Sequence, residues 1–430
     1  MLTDKEDQEI VRELVETRRR IHRRPEEGWT EFETTHLVAE RLEALGLRVL
    51  LGTDVIRPEA VMGRDQKLVD EAVKRALAHG VEQSFIDRTG GFTGCVGILE
   101  TGRPGPVTAF RCDMDCVLVG ETDAPEHLPN AGGFASERPG LMHACGHDAH
   151  TAVGLALARW ASEHRNELCG TLKFLFQPAE EGVRGGGPMA ASGIVDDVDL
   201  LVGAHVGTFC RLGEIGICEG GFLATTKLDV HFTGVPSHAG ADPEKGRSAL
   251  MAACAAAMMF QGIPRSGEGD TRISVGRLVA GEGRNVTPVH ATMQLEVRGA
   301  TAAVNDYMTE NVYRIVDGIK AAYDVEARVE KAGEATTLPV SPALLDRLER
   351  LAGTIPGIKV ERISRPSGSE DCTMLMRRVI EHGGEAAYVL YGANQKGHHR
   401  ADFDIEDEKS LPIAFEFLRA FLADANGVRG

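Results

Sequence analysis

The amino-acid sequence predicts an α/β fold: a mixed-sheet domain covered by helices, with an inserted α+β domain. With 430 residues, the chain is long enough for two or three domains. From about residue 92, short apolar runs alternate with helix-like segments, as in a sheet covered on both faces. Between 222 and 330, polar and apolar residues alternate instead, as in half-buried antiparallel strands. We therefore expect residues 1–221 and 331–430 to form one domain and residues 222–330 a ferredoxin-like insertion.

The chain begins with predicted helices. Apolar residues recur at helical spacing over 10–21, 37–45 and 68–79, and proline or glycine follows the first two segments. Within the insertion, strands are predicted at 227–232 and 292–298. A helix is expected at 249–260 between them, and a second helix at about 304–322 follows. The order predicts a βαββαβ unit.

Four apolar runs are each followed by polar residues of types that can bind ligands or take part in catalysis. Open α/β sheets bind ligands at the carboxyl edge of their strands, so this repeated coincidence is the first functional signal. The four runs are 106–110 before Asp113, 172–176 before Glu180 and Glu181, 200–204 before His205, and 387–391 before His398 and His399.

Composition limits the classes of partner. The net charge of −17 leaves no basic stripe for a phosphate backbone, so we expect no nucleic-acid partner. No apolar run approaches the roughly 18 residues of a membrane helix, and the first residues are acidic rather than signal-like. Nine cysteines, an odd number in a long chain, predict reduced thiols. We expect a cytoplasmic globular protein.

The segment His143–His150 is the strongest chemical motif. It places Cys145 and His147 two residues apart before an apolar helix, and thiolate and imidazole are good ligands for divalent transition metals. The alternative is a loop with a buried cysteine and surface histidines.

Glu180 and Glu181 follow a strand and a proline, where adjacent side chains can diverge. One carboxylate could then bind a metal while the other takes a proton from water, the division that metal-assisted hydrolysis requires. Taken singly, the glutamates could form a solvated face, His205 could be structural, and His398 with His399 an exposed pair. Together these residues and the cysteine motif supply five ligands for two metals and a spare base.

The sequence resembles the aminoacylase/carboxypeptidase-type amidohydrolases, in particular their cysteine-containing branch with a dinuclear metal centre. The resemblance extends over nearly the whole chain. The segments that carry it are 142–152, 176–182, 204–207, 237–240, 283–288, 369–371 and 397–404.

The resemblance implies two divalent ions, Mn²⁺ or Zn²⁺, bridged by the thiolate of Cys145. His399 is preferred to His398 because the family's last ligand lies four residues before a phenylalanine, here Phe403. Glu180 is implied as the general base and acid. The remaining ligands implied by the family are His147, Glu181 and His205.

The resemblance also implies that the insertion is a dimerisation lid. In such a lid His238 reaches the partner subunit's active site and polarises the scissile carbonyl; otherwise it is a turn histidine. Asn285 and Arg298 are candidates for substrate binding, the arginine because it pairs bidentately with carboxylates, although either could support the fold. Asp113 is expected to orient a ligand histidine from outside the ligand set.

We therefore expect hydrolysis of the amide bond in an N-acyl amino acid, with p-aminobenzoyl-glutamate as the favoured substrate. Alternatives are another aromatic conjugate, such as indoleacetyl-aspartate, or a non-catalytic metal-binding subunit. The partner is expected to be a second copy of the chain, or a related B chain. Cys112 and the segment 116–119 depart from the family pattern, which leaves the acyl-group preference open.

Overall fold

The structure is a computed structural model that describes residues 5–365 and 368–428. The acidic start that we interpreted as unlike a signal peptide lies mostly outside this range. The chain divides into two compact units: a large one of Met1–Gly221, Leu338–Arg365 and Asp371–Gly430, and a small one of Phe222–Thr337 with a few residues before Asp371. The boundary expected at residue 330 falls inside the last strand of the small unit.

The elements follow one another in chain order. The helices are α1 (Lys5–Arg23), α2 (Phe32–Ala44), α3 (Gln66–Ala78), α4 (Gln83–Thr89), α5 (Leu128–Ala131), α6 (His147–Glu163), α7 (Gly186–Ala191), α8 (Ala249–Gln261), α9 (Ala302–Tyr323), α10 (Pro342–Ala352), α11 (Cys372–Glu381) and α12 (Asp407–Asn426). The strands are β1 (Arg48–Leu51), β2 (Cys95–Glu100), β3 (Val107–Asp113), β4 (Thr171–Gln177), β5 (Leu200–Val206), β6 (Glu214–Cys218), β7 (Ala224–Thr233), β8 (Thr271–Ala280), β9 (His290–Gly299), β10 (Glu326–Ala335), β11 (Lys359–Ile363) and β12 (Glu385–Tyr391).

The large unit contains a mixed sheet with the strand order β1-β2-β4-β3-β5-β12-β6-β11. Its four central strands, β4, β3, β5 and β12, run parallel. Helix α6 is buried along most of its length and packs on β3 and against α1 and α12. The predicted α/β class with a mixed sheet is therefore confirmed, and its parallel centre lies where the chemically capable residues were expected.

The central strands extend further than the sequence predicts. Asp113, Gln177 and His205 were expected just past the strand ends, but all three lie within the strands. Asp113 pairs with Gln177, and His205 pairs with Leu390, because each neighbouring strand still offers backbone hydrogen-bond partners. These side chains remain at the carboxyl edge of the parallel strands.

The small unit has the predicted βαββαβ order, with an antiparallel sheet in the strand order β10-β7-β9-β8. The hydroxyls of Ser248 and Thr301 accept the N–H groups of Met251 and Val304, both at 3.2 Å, and thereby cap α8 and α9. Small residues of α8, such as Ala252 and Ala256, are fully buried against the sheet. The ferredoxin-like architecture is confirmed.

The N-terminal helix is tied to the C-terminal part of the chain by a buried arginine. The fully buried Arg18 of α1 lies with its Nε 2.8 Å from Oδ2 of Asp148, and its Nη1 lies 3.2 Å from Oδ2 of Asp407. Its Nη2 lies 3.4 Å from Oδ1 of Asp404. A buried arginine needs several carboxylates of this kind to offset its desolvation. Among the described residues, no helix is long and apolar enough to cross a bilayer.

Candidate metal centre

Gly146 separates the two donors of the loop that leads into α6. Its φ is +94°, and a Cβ at this position would lie 2.4 Å from Cγ1 of Val206, so the close approach to β5 requires glycine. Cys145 precedes this glycine, and the fully buried His147 begins α6. As a result, Sγ of Cys145 lies 3.5 Å from Nε2 of His205 on β5.

Two groups of metal-binding donor atoms share the Cys145 thiol. One contains Cys145, His147 and His205, and the other contains Cys145, Glu181 and His399. Within each group the donor atoms lie within 4.8 Å of one another. Oε1 of Glu181 and Nε2 of His399 are 3.2 Å apart. The structure thus brings together the five residues that were predicted as metal ligands.

These donors are of the types that bind divalent transition metals, and the protonation state of His205 fits such an ion. Burial, with the nearby charge of His150, lowers the pKa of His205 well below its usual range, so the ring is neutral as metal binding requires. Burial, reinforced by the charge of Glu181, raises the pKa of the Cys145 thiol well above its usual range. A cation is therefore needed to hold the thiolate. Nε2 of His147 is buried and makes no hydrogen bond within the described part of the chain.

Asp115 connects the ligand histidine to the glutamate loop. Its Oδ1 lies 3.2 Å from Nδ1 of His147 and accepts the N–H of Glu180 at 3.0 Å, while its Oδ2 accepts the N–H of Glu181 at 2.9 Å. Asp115 is fully buried. Sequence reasoning missed this residue, although it lies two positions from Asp113 in the same motif.

Asp113 contacts a different histidine from the one that Asp115 holds. Its Oδ1 lies 2.5 Å from Nδ1 of His150, whose Nε2 accepts the N–H of Val206 at 3.0 Å. Its Oδ2 lies 3.8 Å from Nε2 of His147. Burial alone would raise the pKa of Asp113, but the charges of His147, His150 and Arg111 outweigh it and hold the pKa well below its usual range. Asp113 therefore supports the end of β5 through His150.

Arg111 lies beneath this edge of the sheet and is fully enclosed by carboxylates and an amide. It donates from Nη1 to Oδ2 of Asp113 at 2.6 Å, from Nη2 to Oδ1 of Asp371 at 2.9 Å and from Nε to Oε1 of Gln177 at 2.8 Å. Asp371 in turn accepts the N–H groups of Gly185 and Gly186. One buried arginine thereby joins β3, β4 and the start of α11.

Glu180 lies beside the shared donors but belongs to neither group that contains Cys145. It is 8% exposed, and its Oε2 lies 3.9 Å from Nε2 of His147. Glu181 reaches the group that contains His399. Glu180, Glu181 and His147 also form a group whose donor atoms lie within 4.8 Å of one another, so the two carboxylates lie close together instead of diverging as the sequence predicted.

Both late histidines approach the thiol. Nδ1 of His398 lies 3.4 Å from Sγ of Cys145, and Nε2 of His398 accepts the N–H of Thr208 at 3.2 Å. Burial, with the charge of His399, lowers the pKa of His398 to about 4. His399 has a φ of +59°, and its N–H donates to the carbonyl of Ala144 at 2.7 Å. Because Nε2 is an acceptor, the neutral His398 ring carries its proton on Nδ1 and can donate it to the Cys145 sulfur, a contact that the sequence did not predict.

In the small unit, His238 and Asn285 lie close together in loops. His238 is exposed, and its Nδ1 accepts the N–H groups of Gly240 at 3.2 Å and Ala241 at 3.1 Å. The carbonyl of Asn285 accepts the N–H of Ala239 at 3.1 Å. Because Nδ1 is an acceptor, the neutral His238 ring carries its proton on Nε2 and can donate from there.

Arg298 lies on β9, where it already has a carboxylate partner. Its Nε donates to Oε1 of Glu296 at 2.9 Å and its Nη2 to Oε2 at 3.2 Å. This is the bidentate geometry that was expected for a substrate carboxylate. A substrate would therefore have to compete with Glu296 for this guanidinium.

A sheet edge that gathers a thiol, imidazoles and carboxylates around a spare glutamate is the arrangement of metal-dependent hydrolases. Residues 109–424 match the model of the peptidase family M20/M25/M40, and the chain belongs to this family. It is accordingly a hydrolase of amide bonds.

Known proteins are similar in sequence to this chain over nearly its whole length. A homolog of a p-aminobenzoyl-glutamate hydrolase subunit, from Haemophilus influenzae, is 44% identical over 93% of this chain and 96% of its own length. The indole-3-acetyl-aspartic acid hydrolase of Enterobacter agglomerans is 42% identical over 95% of each. A crystal structure of an aminobenzoyl-glutamate utilization protein from Klebsiella pneumoniae is 37% identical, with a TM-score of 0.84 over 98% of both chains.

Proposed function

We propose that the chain hydrolyses the amide of an N-acyl amino acid with p-aminobenzoyl-glutamate as its substrate, releasing p-aminobenzoate and glutamate. The observation that carries this proposal is the pair of donor groups sharing Cys145, with Glu180 beside them. The name of the relative from Haemophilus influenzae supports this conjugate.

Two divalent ions would be held by Cys145, which belongs to both donor groups, and by His147, His205, Glu181 and His399. When bound, such ions supply Lewis acidity, which lowers the pKa of water and polarises a carbonyl oxygen. Because a bridging thiolate is soft it favours zinc, whereas the cysteine branch of the family commonly uses manganese. Reconstitution of the metal-free protein with each ion, followed by activity and metal analysis, distinguishes the two.

Glu180 is the proposed proton carrier. Its carboxylate takes a proton from the attacking water as the water oxygen bonds to the acyl carbon, and gives this proton to the amine nitrogen as the C–N bond breaks. His238 of a second subunit, with its proton on Nε2, donates to the developing oxyanion. Asn285 and Arg298 remain the proposed contacts to the amino-acid end of the substrate, and Asp113 the support of the ligand shell through His150.

The test of this function is Glu180→Gln in metal-saturated protein. Loss of a general base lowers kcat by about 10²–10⁴-fold, while metal content is expected to stay unchanged. Glu137→Gln is the matched control, because Glu137 is 59% exposed and its ion pair with Arg24 is on the surface. Near-normal turnover by the Glu180 variant with full metal content would refute the proposal.

A second substrate, indoleacetyl-aspartate, is favoured by the relative from Enterobacter agglomerans, whose identity to this chain is nearly as high. One methylene in the leaving amino acid changes binding by only about 1–3 kcal/mol, so sequence does not separate the two. A panel of purified N-acyl substrates compared by kcat/KM decides between them. Higher kcat/KM for indoleacetyl-aspartate would replace the first assignment.

The small unit is the proposed dimerisation lid. Its α8 exposes Met251, Met258 and Met259, and the edge strand β8 exposes Val279. An open strand edge beside apolar side chains favours pairing with another chain. A second copy is the proposed partner, and a related B chain is the alternative; light scattering of the purified chain alone distinguishes them.

A cytoplasmic location is also proposed. All nine cysteines are free of disulfides, as expected in a reducing compartment. Fractionation of cells against a periplasmic marker tests this, and recovery with that marker would contradict it.

A further inference from the structure

The loop that carries Glu180 and Glu181 has an unusual backbone. Ala179 and Val183 on either side of the glutamates both have left-handed φ angles, +52° and +58°. Non-glycine residues rarely adopt this region, and they persist there only when surrounding contacts fix them. Something outside the loop must therefore hold it.

Buried carboxyl groups accept three consecutive amides of this loop. Asp115 accepts the N–H groups of Glu180 and Glu181, as described above. The preceding N–H, that of Ala179, donates to Oε1 of Glu31 at 2.8 Å. Glu31 is the residue before α2 and is distant in sequence from the other members of the site.

The Glu31 side chain is itself fixed. It is fully buried, and its Oε2 accepts the hydroxyl of Thr93 at 2.6 Å; Thr93 is fully buried as well. The carbonyl of Glu31 accepts the N–H of Thr35 at 2.8 Å in the first turn of α2. Helix and side chain are thus anchored together, which makes Glu31 a rigid support beneath the loop.

We propose that Glu31 is a positioning residue for the hydrolytic reaction: by holding the Ala179 amide, it aims the Glu180 carboxylate and the Glu181 ligand. The inference rests on the proposed function. This role depends on the length of the side chain, which brings an acceptor oxygen to the Ala179 amide, and not on its charge. Burial, reinforced by the charge of Asp115, raises the pKa of Glu31 to about 8, so a neutral side chain of the same length can replace it.

Two substitutions separate reach from charge. Glu31→Gln keeps the acceptor oxygen at the same distance and removes the ionisable group. Glu31→Asp keeps the acid but withdraws the carboxyl by about 1.5 Å, beyond hydrogen-bonding distance of the Ala179 amide. In manganese-saturated protein, we expect Glu31→Gln to retain near wild-type kcat and Glu31→Asp to lose about 10²-fold in kcat with KM little changed.

Glu26→Asp is the matched control. Glu26 is a fully buried glutamate in the same region. Its carboxylate accepts the N–H groups of Glu33 and Thr34 within α2 and none from the loop that carries Glu180 and Glu181, here called the catalytic loop. We expect this control to lower the melting temperature but not kcat. Thr93→Val, which removes only the hydroxyl that holds Glu31, is expected to lower kcat less than Glu31→Asp.

The outcomes separate the two proposals. Suppose that the wild type hydrolyses the substrate and that Glu180→Gln is inactive. If Glu31→Asp then has the same kcat as Glu26→Asp, only the role of Glu31 is overturned. The role of Glu31 is likewise overturned if Glu31→Gln is as slow as Glu31→Asp. If the wild type is inactive or Glu180→Gln is fully active, the proposed function fails, and the role of Glu31 fails with it.

Discussion

Cys145 is the residue on which the proposed centre most depends, because both donor groups contain its thiol. A serine hydroxyl is a much weaker acid and does not replace a bridging thiolate. We expect Cys145→Ser to lose metal or activity by more than the roughly 10–100-fold cost of losing an outer partner.

Metal analysis of the purified variant, with Cys169→Ser as control, checks this prediction. Cys169 is partly exposed and contacts the carbonyl of Gly427. Equal metal content and turnover in the two variants would contradict a bridging role for Cys145.

Glu31 also predicts a pH dependence of stability in the metal-free protein. Its pKa is raised from an ordinary 4.5 to about 8, so the folded state binds the proton more tightly than the unfolded state between these values. The stability that this group contributes is complete at low pH and is lost as the pH rises towards 8. Glu31→Gln cannot ionise and should therefore gain free energy of unfolding relative to wild type, by about a few kcal/mol.

Urea unfolding in chelator between pH about 5 and about 8 measures this difference. A difference between Glu31→Gln and wild type that does not change with pH would refute the prediction.

At the residue scale, the sequence predicted side chains that the structure brings together, but not all of the residues that hold them in place. The density of ligand-type side chains around Cys145 is visible in one short segment. The sequence does not show which carboxylate faces which histidine. Asp113 and Asp115 lie two residues apart in one segment, and their partners come from α6 and the catalytic loop. Glu31 gives no local signal at all, since its contact with Ala179 exists only after folding.

Among the elements, Arg111 predicts how firmly the strand ends are joined. Removing it leaves Asp113 and Asp371 buried without their cation, which typically costs about 3–5 kcal/mol. We expect Arg111→Met to lower the free energy of unfolding by this amount. Arg48→Met is the control, because the Arg48 ion pair with Glu100 is exposed and such pairs contribute about 0–1 kcal/mol.

Chemical denaturation of the two variants tests this comparison. Equal losses would show that the enclosed arginine contributes no more than a surface ion pair.

Periodicity predicted α1, α2, α3, α8 and α9, because burial of one face repeats along each of them. The helices expected at 249–260 and 304–322 differ from α8 and α9 by at most two residues at either end. Strand ends were less accurate, since a strand stops where its neighbour stops offering partners. The short strands β1, β6 and β11 were not predicted, because they depend on pairing with distant segments.

For the whole molecule, the proposed role of His238 predicts complementation between subunits. Glu180→Gln and His238→Ala should each be inactive alone. In a mixed dimer, one site combines an intact Glu180 with the intact His238 of the other subunit. Random mixing makes about half of the dimers mixed, so about a quarter of wild-type activity should return.

Activity measured after subunit exchange checks this result. Mass spectrometry verifies that the subunits have exchanged. If the mixture of the two variants then shows no recovered activity, His238 does not act across subunits.

The buried Arg18 has a consequence for how the chain is made. Two of its carboxylate partners, Asp404 and Asp407, are synthesised long after it; Asp407 follows 389 residues later. Until then an N-terminal guanidinium lacks much of its compensation, and β5 lacks its neighbour β12. Although nascent domains generally fold from the N-terminus, the large unit closes only after β12 and Asp407 have left the ribosome. Prematurely terminated chains should therefore accumulate as substrates for chaperones and proteases.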